Sequence, residues 1–229
     1  MKSRISRRQF LSSTFLGGTG VLILANSGSV SNYAANEKLF IAIVGVTGRG
    51  DWFVRTIPSL GEEVVALCDV NDRRAEAASK RLPNARRYHD FRKMLDEMNK
   101  EIDAVTVVTP DNTHAIISST AMKAGKHVLC EKPLTHDVAE ARALRETARK
   151  TKVATQMGNQ GTASEAFRRS VELIQAGVLG EIREVLVWNT GGGPGHREPP
   201  KGEQPVPDYL KWDLWLGPAA YRPFHPDWL

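Results

Sequence analysis

The chain has 229 residues, of which 41% are hydrophobic and 25% are charged, a composition that excludes a disordered or fibrous protein and favours a soluble globular one. Its formal charge of +5 raises the question of a nucleic-acid partner. However, four cations lie within residues 1–8, and residues 1–35 contain no acid. Removing these four from +5 leaves +1 for the rest of the chain, so we expect no nucleic acid as a partner.

Residues 1–36 are predicted to be an export signal and linker. A basic start precedes a modest apolar stretch, Thr14–Ala25, which is too short to predict a stable membrane span. The sequence "SRRQFL" at residues 6–11 resembles the bacterial twin-arginine (Tat) signal, although a disordered tail with a chance Arg-Arg pair is the alternative. We therefore expect the Tat export machinery as a partner and a periplasmic or other extracytoplasmic location.

From residue 38 onward, short apolar runs alternate with helical patterns. We expect strands within residues 39–46, 63–70, 85–90, 103–110, 127–133 and 153–161, with helices between them. Asn71 or Asp72 and, later, Asp137 are expected to cap two of these helices. The alternation predicts an α/β fold over residues 37–157, a Rossmann domain whose doubly wound parallel sheet has the strand order 3-2-1-4-5-6.

The pattern changes after residue 161. Residues 164–180 predict an amphipathic helix, residues 181–190 a strand, and residues 191–209 an irregular loop rich in Gly and Pro. A lone helix and strand cannot bury themselves as a domain. We therefore interpret residues 158–229 as the start of an incomplete α/β substrate or oligomerisation domain, and the chain as an N-terminal fragment of a longer protein.

A glycine-rich turn, "GVTGRG", follows the first predicted strand. Gly45 and Gly50 occupy the first and third glycine positions of a dinucleotide fingerprint, in which backbone amides at a helix N-terminus meet a pyrophosphate. Thr47 stands at the second position, with Gly48 beside it, so the turn departs from the pattern at one position. We predict that Gly45, Thr47, Gly48, Arg49 and Gly50 bind the cofactor.

Asp69 ends the second predicted strand, nineteen residues after Gly50. A carboxylate at this place accepts hydrogen bonds from the ribose hydroxyls of NAD and repels the 2′-phosphate of NADP. We therefore predict that Asp69 binds the cofactor and that the cofactor is NAD. Arg73 and Arg74 lie nearby in sequence, so NADP stays possible as the cofactor. The alternative for Asp69 is a purely structural role, in which the acid only forms a turn or caps a helix.

The segment "HVLCEKPLT", residues 127–135, ends an apolar strand in Glu131, Lys132 and Pro133. Because proline cannot continue the ladder, the charged pair is left at the carboxyl end of the sheet, where α/β folds bind ligands. A lysine there can act as a general acid/base or hydrogen-bond a developing alkoxide, oriented by the neighbouring carboxylate. We predict Lys132 as the catalytic residue, against the alternative of a solvated turn.

Five segments together carry a family resemblance. They are "AIVGVTGRG", "ALCDVNDRR", "VVTPDNTHA", "HVLCEKPLT" and "QMGNQG", and their order and spacing are similar to those of the Gfo/Idh/MocA family of glucose–fructose oxidoreductases and inositol dehydrogenases. The resemblance covers residues 38–229. It implies a Rossmann domain followed by an α/β substrate domain, a tightly held NAD(P), hydride transfer to or from a sugar or polyol carbon, and a homo-oligomer.

The resemblance also implies further site residues. Residues after the fourth strand would line the cofactor, those after the fifth would lie near the nicotinamide, and those after the sixth would contact nicotinamide or substrate. The implied cofactor-binding residues are Thr109, Pro110, Asn112, His114, Glu131, Lys132 and Asn159, and the implied substrate contacts are Lys132 and Gln160. For His114, a helix-start residue bonded to backbone is the alternative. The family's later catalytic Asp and His would fall beyond Leu229, so we expect this chain alone to be inactive.

These observations predict an exported NAD(P)-dependent oxidoreductase acting on a carbohydrate or polyol. One alternative is an NAD-dependent glycosidase, which oxidises a ring carbon transiently, eliminates the glycosidic bond and takes the hydride back. The other is a nucleotide-binding protein without catalysis, which the threonine in the glycine turn favours. No spacing of His, Cys and carboxylates suggests a metal site.

The two cysteines, Cys68 and Cys130, are expected to be free thiols. In the predicted strand order, two other strands lie between theirs, a separation of roughly 14 Å. A disulfide needs Cα atoms within about 7 Å of each other.

Overall fold

The structure, a computed structural model, describes residues 38–188 and 199–229. Its centre is a six-stranded sheet in the order β3-β2-β1-β4-β5-β6, in which all neighbouring strands are parallel. The strands are β1 (Phe40–Val44), β2 (Glu63–Cys68), β3 (Arg86–Tyr88), β4 (Ala104–Val107), β5 (His127–Glu131) and β6 (Thr155–Gly158). This is the predicted strand order, and the doubly wound α/β fold is confirmed.

Helices connect the strands, and polar side chains start several of them. They are α1 (Arg49–Ser59), α2 (Asp72–Arg81), α3 (Phe91–Glu97), α4 (Asp111–Lys123) and α5 (Val138–Thr151). Asn71, Asp90 and Asp137 each accept a hydrogen bond from a first-turn amide of the helix that follows. These caps explain where α2, α3 and α5 begin. Two of them, Asn71 and Asp137, were expected from the sequence.

The sheet is buried on both faces, which explains the continuous apolar run of β1. Ile41 and Ile43 pack into the cluster formed with α1 and α2. Ala42 and Val44, which alternate with them, pack into the opposite cluster with residues of α3, α4 and α5. A strand covered on both sides has no polar face, so its sequence shows no alternation.

The predicted strand at residues 181–190 is wrong over the part that the structure describes. Residues 181–188 form no strand and are exposed, whereas the preceding helix is present as α6 (Glu165–Gln175). A strand is stabilised by pairing its backbone groups with a neighbour. No described residue pairs with 181–188, so the apolar pattern of this segment is not enough to make it a strand. The predicted boundary between residues 157 and 158 stays a prediction.

Residues 199–229 add a short helix, α7 (Trp212–Leu216), and a small apolar cluster of their own. Leu210, Trp212, Leu216 and Phe224 are all buried in this cluster. The backbone of Leu210 also forms an isolated antiparallel bridge with Asn71, beside the carboxyl end of β2. The segment is thereby attached to the edge of the sheet where ligands bind in this class of fold.

The predicted export signal at residues 1–36, the last two residues of the predicted strand at 181–190 and the first part of the predicted loop, residues 191–198, lie outside the described residues. Within the described ranges, no helix is both long enough and apolar enough to cross a membrane.

The two cysteines are free and buried, as expected. Cys68 ends β2 and Cys130 lies in β5, with β1 and β4 between them. Burial raises the pKa of the Cys130 thiol to about 11, and it raises the pKa of Cys68 further still. Neither thiol is therefore suited to nucleophilic chemistry near neutral pH.

Candidate nucleotide-binding site

The turn between β1 and α1 needs glycine at two positions for packing reasons. Gly45 has φ +86°, and a Cβ there would lie 2.5 Å from the carbonyl oxygen of Val108. A Cβ on Gly50 would overlap the carbonyl oxygen of Gly45. The first glycine therefore permits the tight turn, and the third permits close approach of helix and strand, which are their roles in dinucleotide-binding folds.

The middle of the turn carries the departure from the glycine pattern. Thr47 lines the adjoining cavity at the place of the second glycine, and its carbonyl oxygen accepts a hydrogen bond from the Gly50 amide (2.9 Å). Gly48 has φ +57°, and a Cβ there would meet open space. Helix α1 begins at Arg49. The turn therefore ends in the N-terminus of an eleven-residue helix, an arrangement suited to a phosphate.

The Asp69 carboxylate is held by two backbone amides. Its Oδ2 accepts a hydrogen bond from the Val46 amide (3.1 Å), and its Oδ1 accepts one from the Asn71 amide (2.9 Å). Each carboxylate oxygen has a second lone pair that can accept a hydroxyl. Asp69 thus stabilises a turn, which was the purely structural role given above as the alternative. It also lines the cavity, where its carboxylate is an oriented acceptor.

A cavity of about 470 Å³ opens at the carboxyl ends of β1, β2 and β4. Its size is within the range of small-molecule sites. Of the predicted cofactor-binding residues, it brings together Gly45, Thr47, Asp69, Thr109 and Pro110. It does not bring in Gly48, Arg49, Gly50, Asn112, His114, Glu131, Lys132, Asn159 or Gln160.

His114 is buried and contacts the backbone of Thr109, a residue that lines the cavity. Its exposed fraction is 2%, and its ring nitrogens lie 2.8 Å from the carbonyl oxygen of Thr109 and 2.7 Å from that of Pro133. These contacts join the loop after β4 to the turn after β5. The alternative given above for His114, a helix-start residue bonded to backbone, describes these contacts, and a direct contact to a cofactor stays a prediction.

Asn112 also makes a contact that the sequence did not indicate. Its side-chain Nδ2 donates to the carbonyl oxygen of Leu216 in α7 (3.1 Å). Its neighbour Thr113 donates to the carbonyl oxygen of Pro110 (2.8 Å) and thereby fixes the first turn of α4. The amide of Asn112 holds the C-terminal segment, and its predicted cofactor contact stays a prediction.

A second group of polar residues lies where the glycine turn meets the ends of β5 and β6. Glu131 is 5% exposed and accepts a hydrogen bond from Arg49 Nε at 2.8 Å. With its amide oriented to satisfy its neighbours, Gln160 accepts from the same guanidinium (3.1 Å) and donates to the carbonyl oxygen of Gly158 (2.8 Å). A Cβ on Gly158 would lie 2.6 Å from the Glu131 carboxyl carbon, so this glycine makes room for the ion pair.

The predicted catalytic lysine projects from this group. The Lys132 amide donates to Glu131 Oε2 (3.2 Å), which fixes the start of the turn, while the Lys132 side chain is exposed. Asn159 is exposed as well. The described residues therefore orient the backbone at Lys132 but do not remove its ammonium group from water.

The cavity has a further wall that the sequence analysis missed, formed by the turn between β3 and α3. The turn contributes His89 and Asp90, and the first turn of α3 contributes Phe91 and Arg92. A side-chain hydrogen bond from Arg92 holds the pKa of Asp90 below its usual range. Since β3 has only three residues, its pattern was too short to show that the turn after it faces the site.

Sequence comparison identifies the family. A family model described as an oxidoreductase family with an NAD-binding Rossmann fold (GFO_IDH_MocA) matches residues 39–159, more than half of the chain. The chain therefore belongs to the Gfo/Idh/MocA oxidoreductase family, and its Rossmann domain is of the NAD-binding type. The resemblance found in the five sequence segments is confirmed.

Two curated relatives show the range of proteins that the chain is similar to. It is 33% identical over 135 residues to an uncharacterised oxidoreductase, ORF334, of Rhizobium meliloti, an alignment that covers 57% of this chain and 40% of that protein. It is 29% identical over 143 residues to inositol 2-dehydrogenase of Salmonella typhimurium, covering 61% of this chain and 42% of that enzyme. The chain thus spans less than half the length of these relatives.

Solved structures give the same assignment. Myo-inositol 2-dehydrogenase of Lactobacillus plantarum superposes with a TM-score of 0.59 at 27% identity, covering 64% of this chain and 43% of that one. Scyllo-inositol dehydrogenase of Lactobacillus casei, solved with bound NAD(H) and scyllo-inositol, superposes with a TM-score of 0.57 at 25% identity, covering 63% and 43%.

The residues of this chain fit a dinucleotide at the cavity. Gly45 and Gly50 perform the packing roles of the fingerprint, and the oriented Asp69 carboxylate stands where a ribose is received. Thr47 replaces the glycine that usually lets the backbone approach the pyrophosphate, but its hydroxyl can donate to a phosphate oxygen. Gly45, Thr47 and Asp69 line one cavity at one edge of the sheet.

Proposed function

We propose that the whole protein is an NAD-dependent oxidoreductase that transfers hydride to or from a carbon atom of a sugar or polyol. The observation that carries the proposal is that the glycine turn and the Glu131–Lys132 turn are joined by the ion pair between Arg49 and Glu131. This pair would hold the backbone at Lys132 at a fixed place relative to a dinucleotide bound in the cavity. The inositol dehydrogenases among the relatives support a polyol as substrate.

The described residues would hold the cofactor by its adenosine and phosphate parts. The N-terminus of α1 would face the pyrophosphate, and Asp69 would accept from a ribose hydroxyl. When bound, the nicotinamide supplies hydride transfer at its C4 atom. The negative charge of Asp69 favours NAD over NADP, whose 2′-phosphate would lie beside the carboxylate. Arg74 also lines the cavity and is the residue through which NADP could be accepted.

Lys132 would accept or donate the hydroxyl proton of the substrate in this reaction. Oxidation of a carbinol removes the hydroxyl proton while hydride leaves the carbon, so a donor or acceptor must stand within hydrogen-bond distance of that oxygen. Glu131 and Arg49 hold the backbone from which Lys132 projects. Because Lys132 is exposed among the described residues, bound substrate would have to shield its ammonium group from water during the reaction.

We also propose that the protein is exported in folded form through the twin-arginine route. The sequence "SRRQFL" followed by a short apolar stretch supports this proposal. A cofactor bound before export would then travel with the protein.

Mass spectrometry of nucleotide released from the purified whole protein by denaturation tests the first part of the proposal. We expect NAD or NADH. If no nucleotide is released, and if the protein also leaves the fluorescence of added NADH unchanged, the oxidoreductase proposal is wrong.

Substrate chemistry is tested by NADH formation with a panel of inositols and sugars. We expect NADH from at least one polyol or sugar. Release of sugar from an aryl glycoside without net NADH formation would instead identify the protein as an NAD-dependent glycosidase.

The role of Lys132 is tested by Lys132→Ala and Lys132→Arg. We expect kcat to fall about 100-fold or more in both variants, because general acid–base groups contribute on the order of 100 to 10,000-fold, with NAD affinity little changed. Lys150→Ala, which removes an exposed lysine from the last turn of α5, is the matched control and should retain the parent kcat. Parent turnover in Lys132→Ala would rule out proton transfer by this lysine.

A further inference from the structure

Residues 209–217, named the strap here, are attached to the backbone at the carboxyl end of β2. The Lys211 amide donates to the carbonyl oxygen of Val70 (2.9 Å), and the Asp72 amide donates to the carbonyl oxygen of Tyr209 (2.8 Å). The guanidinium of Arg73 lies over the Tyr209 ring, 3.9 Å from its centroid. This end of the strap is therefore fixed beside Asp69, the predicted ribose acceptor.

The other end of the strap is attached to the start of α4, across the cavity. Asn112 donates to the carbonyl oxygen of Leu216 (3.1 Å). Gly217 packs so closely that a Cβ there would lie 2.7 Å from Cγ2 of Thr113. The strap thus crosses from the turn after β2 to the turn after β4, the two loops between which the cavity opens.

A tryptophan pair makes the middle of the strap rigid. Trp212 is 4% exposed, and its Nε1 donates to the carbonyl oxygen of Arg222 (2.9 Å). Trp215 stacks on it, with ring centroids 4.7 Å apart and planes 13° from parallel. Trp212 covers one face of Trp215, and the half-buried Trp215 ring also lines the cavity.

The strap and the Rossmann domain line one and the same cavity. Asp213, Leu214 and Trp215 line it from the strap, and Gly45 and Asp69 line it from the Rossmann domain. We propose that the strap is part of the nucleotide site and that Trp215 forms the aromatic wall against which the adenosine half of the nucleotide packs. Asn112 is then a positioning residue, which acts on the nucleotide through the strap that it holds.

The placement of the strap predicts which half of a dinucleotide it recognises. It is bonded to the turn that carries Asp69, on the adenosine side, and none of its residues is bonded to Glu131, Lys132 or Gln160 among the contacts of the described residues. The strap should therefore contribute to the binding of ADP-ribose and not to the binding of nicotinamide mononucleotide. The inference rests on nucleotide binding at this cavity, as in the proposed function, but not on the identity of the substrate.

Calorimetric titration of the whole protein with ADP-ribose and with nicotinamide mononucleotide tests the inference. Trp215→Leu should weaken ADP-ribose binding about fivefold or more, the lower end for aromatic contacts with a base, and leave nicotinamide mononucleotide unchanged. Tyr221→Leu, which removes an exposed aromatic residue of the same segment that does not line the cavity, is the matched control and should bind both ligands like the parent. Equal ADP-ribose affinity in Trp215→Leu and the parent would overturn the inference.

Two further measurements keep the test independent of the folding of one variant. Asn112→Ala should also weaken ADP-ribose binding, because it releases the strap without removing a side chain that lines the cavity. In the parent protein, ADP-ribose should slow amide hydrogen exchange in residues 209–217, and nicotinamide mononucleotide should not. Unchanged exchange in this segment with ADP-ribose bound would overturn the inference. A parent protein that binds neither ligand would overturn both the proposed function and this inference.

Discussion

The replacement Gly45→Ala separates two costs of the glycine turn, backbone strain and steric overlap. Gly45 and Gly61 have nearly the same backbone angle, φ +86° and φ +89°. Both substitutions therefore put an alanine in a conformation that L-residues rarely adopt. Only at Gly45 does the new Cβ also meet backbone, 2.5 Å from the carbonyl oxygen of Val108, whereas at Gly61 it meets open space.

The expected magnitudes follow from this difference. The left-handed conformation costs about 1–2 kcal/mol at each position. At Gly45 the turn and the end of β4 must also move apart by about 1 Å before the Cβ reaches ordinary contact at 3.4 Å. Overpacking of this kind adds about 1–3 kcal/mol. We therefore expect Gly45→Ala to lower the free energy of unfolding by about 2–5 kcal/mol and Gly61→Ala by about 1–2 kcal/mol.

Denaturant unfolding and NAD titration of the two variants check this reasoning. The displacement at Gly45 shifts the turn relative to Thr109, and both line the cavity. We therefore expect NAD affinity to fall about tenfold or more, which corresponds to a loss of about 1.4 kcal/mol in binding free energy. Gly61→Ala should bind NAD like the parent. Equal unfolding free energies for the two variants, or parent NAD affinity in Gly45→Ala, would refute the steric argument.

Three further predictions concern charges and thiols. Arg49→Leu leaves the buried Glu131 carboxylate without its ion pair and should lower the free energy of unfolding by about 3 kcal/mol. In denaturant titrations, adding Glu131→Gln should restore part of this lost stability. If it restores none, an unpaired Glu131 charge is not the cause of the loss. Because the hydrogen bond from Arg92 lowers the pKa of Asp90, this carboxylate stabilises the fold above its unfolded pKa, near 3.9, and the effect is lost as pH falls through the folded pKa. Asp90→Asn, which keeps the helix cap, should therefore be less stable by up to about 1 kcal/mol at pH 7, a small effect because Arg92 is mostly exposed and the pair is screened. The difference from the parent should shrink as the pH falls below the unfolded pKa, near 3.9. The two buried cysteines should react with a thiol reagent only after unfolding, and a protein that shows no reactive thiol in denaturant without reductant would instead contain a disulfide.

Much of the Rossmann domain could be predicted from local patterns. The run of β1 is apolar because the strand is covered on both faces, and the caps of α2 and α5 are short polar residues beside helical patterns. The strand order followed because parallel strands need right-handed crossovers, which leaves few topologies. In the same way, Gly45 and Asp69 were predictable because their roles depend on the turn that each belongs to.

The site was less predictable where its contacts join distant parts of the chain. Asn112 is 104 residues from Leu216, to which it donates, and Arg49 is 82 residues from Glu131. A spacing in sequence does not indicate such a pair. The strand expected at residues 181–190 was wrong over residues 181–188 for a related reason, since an apolar pattern forms a strand only where another strand lies beside it.

The sequence by itself determined the class of fold, the family and the edge of the sheet where ligands bind, because strand periodicity, glycine turns and strand-end acids are local properties of the chain. Only the tertiary structure decided which residues share the cavity. It placed Trp215 and Asp69 in the lining of one cavity and paired Glu131 with Arg49. The physical reason is that these contacts depend on packing and on loop geometry across the sheet, which no short stretch of sequence contains. In this way residues 209–217, for which the sequence analysis predicted no role, became a wall of the cavity.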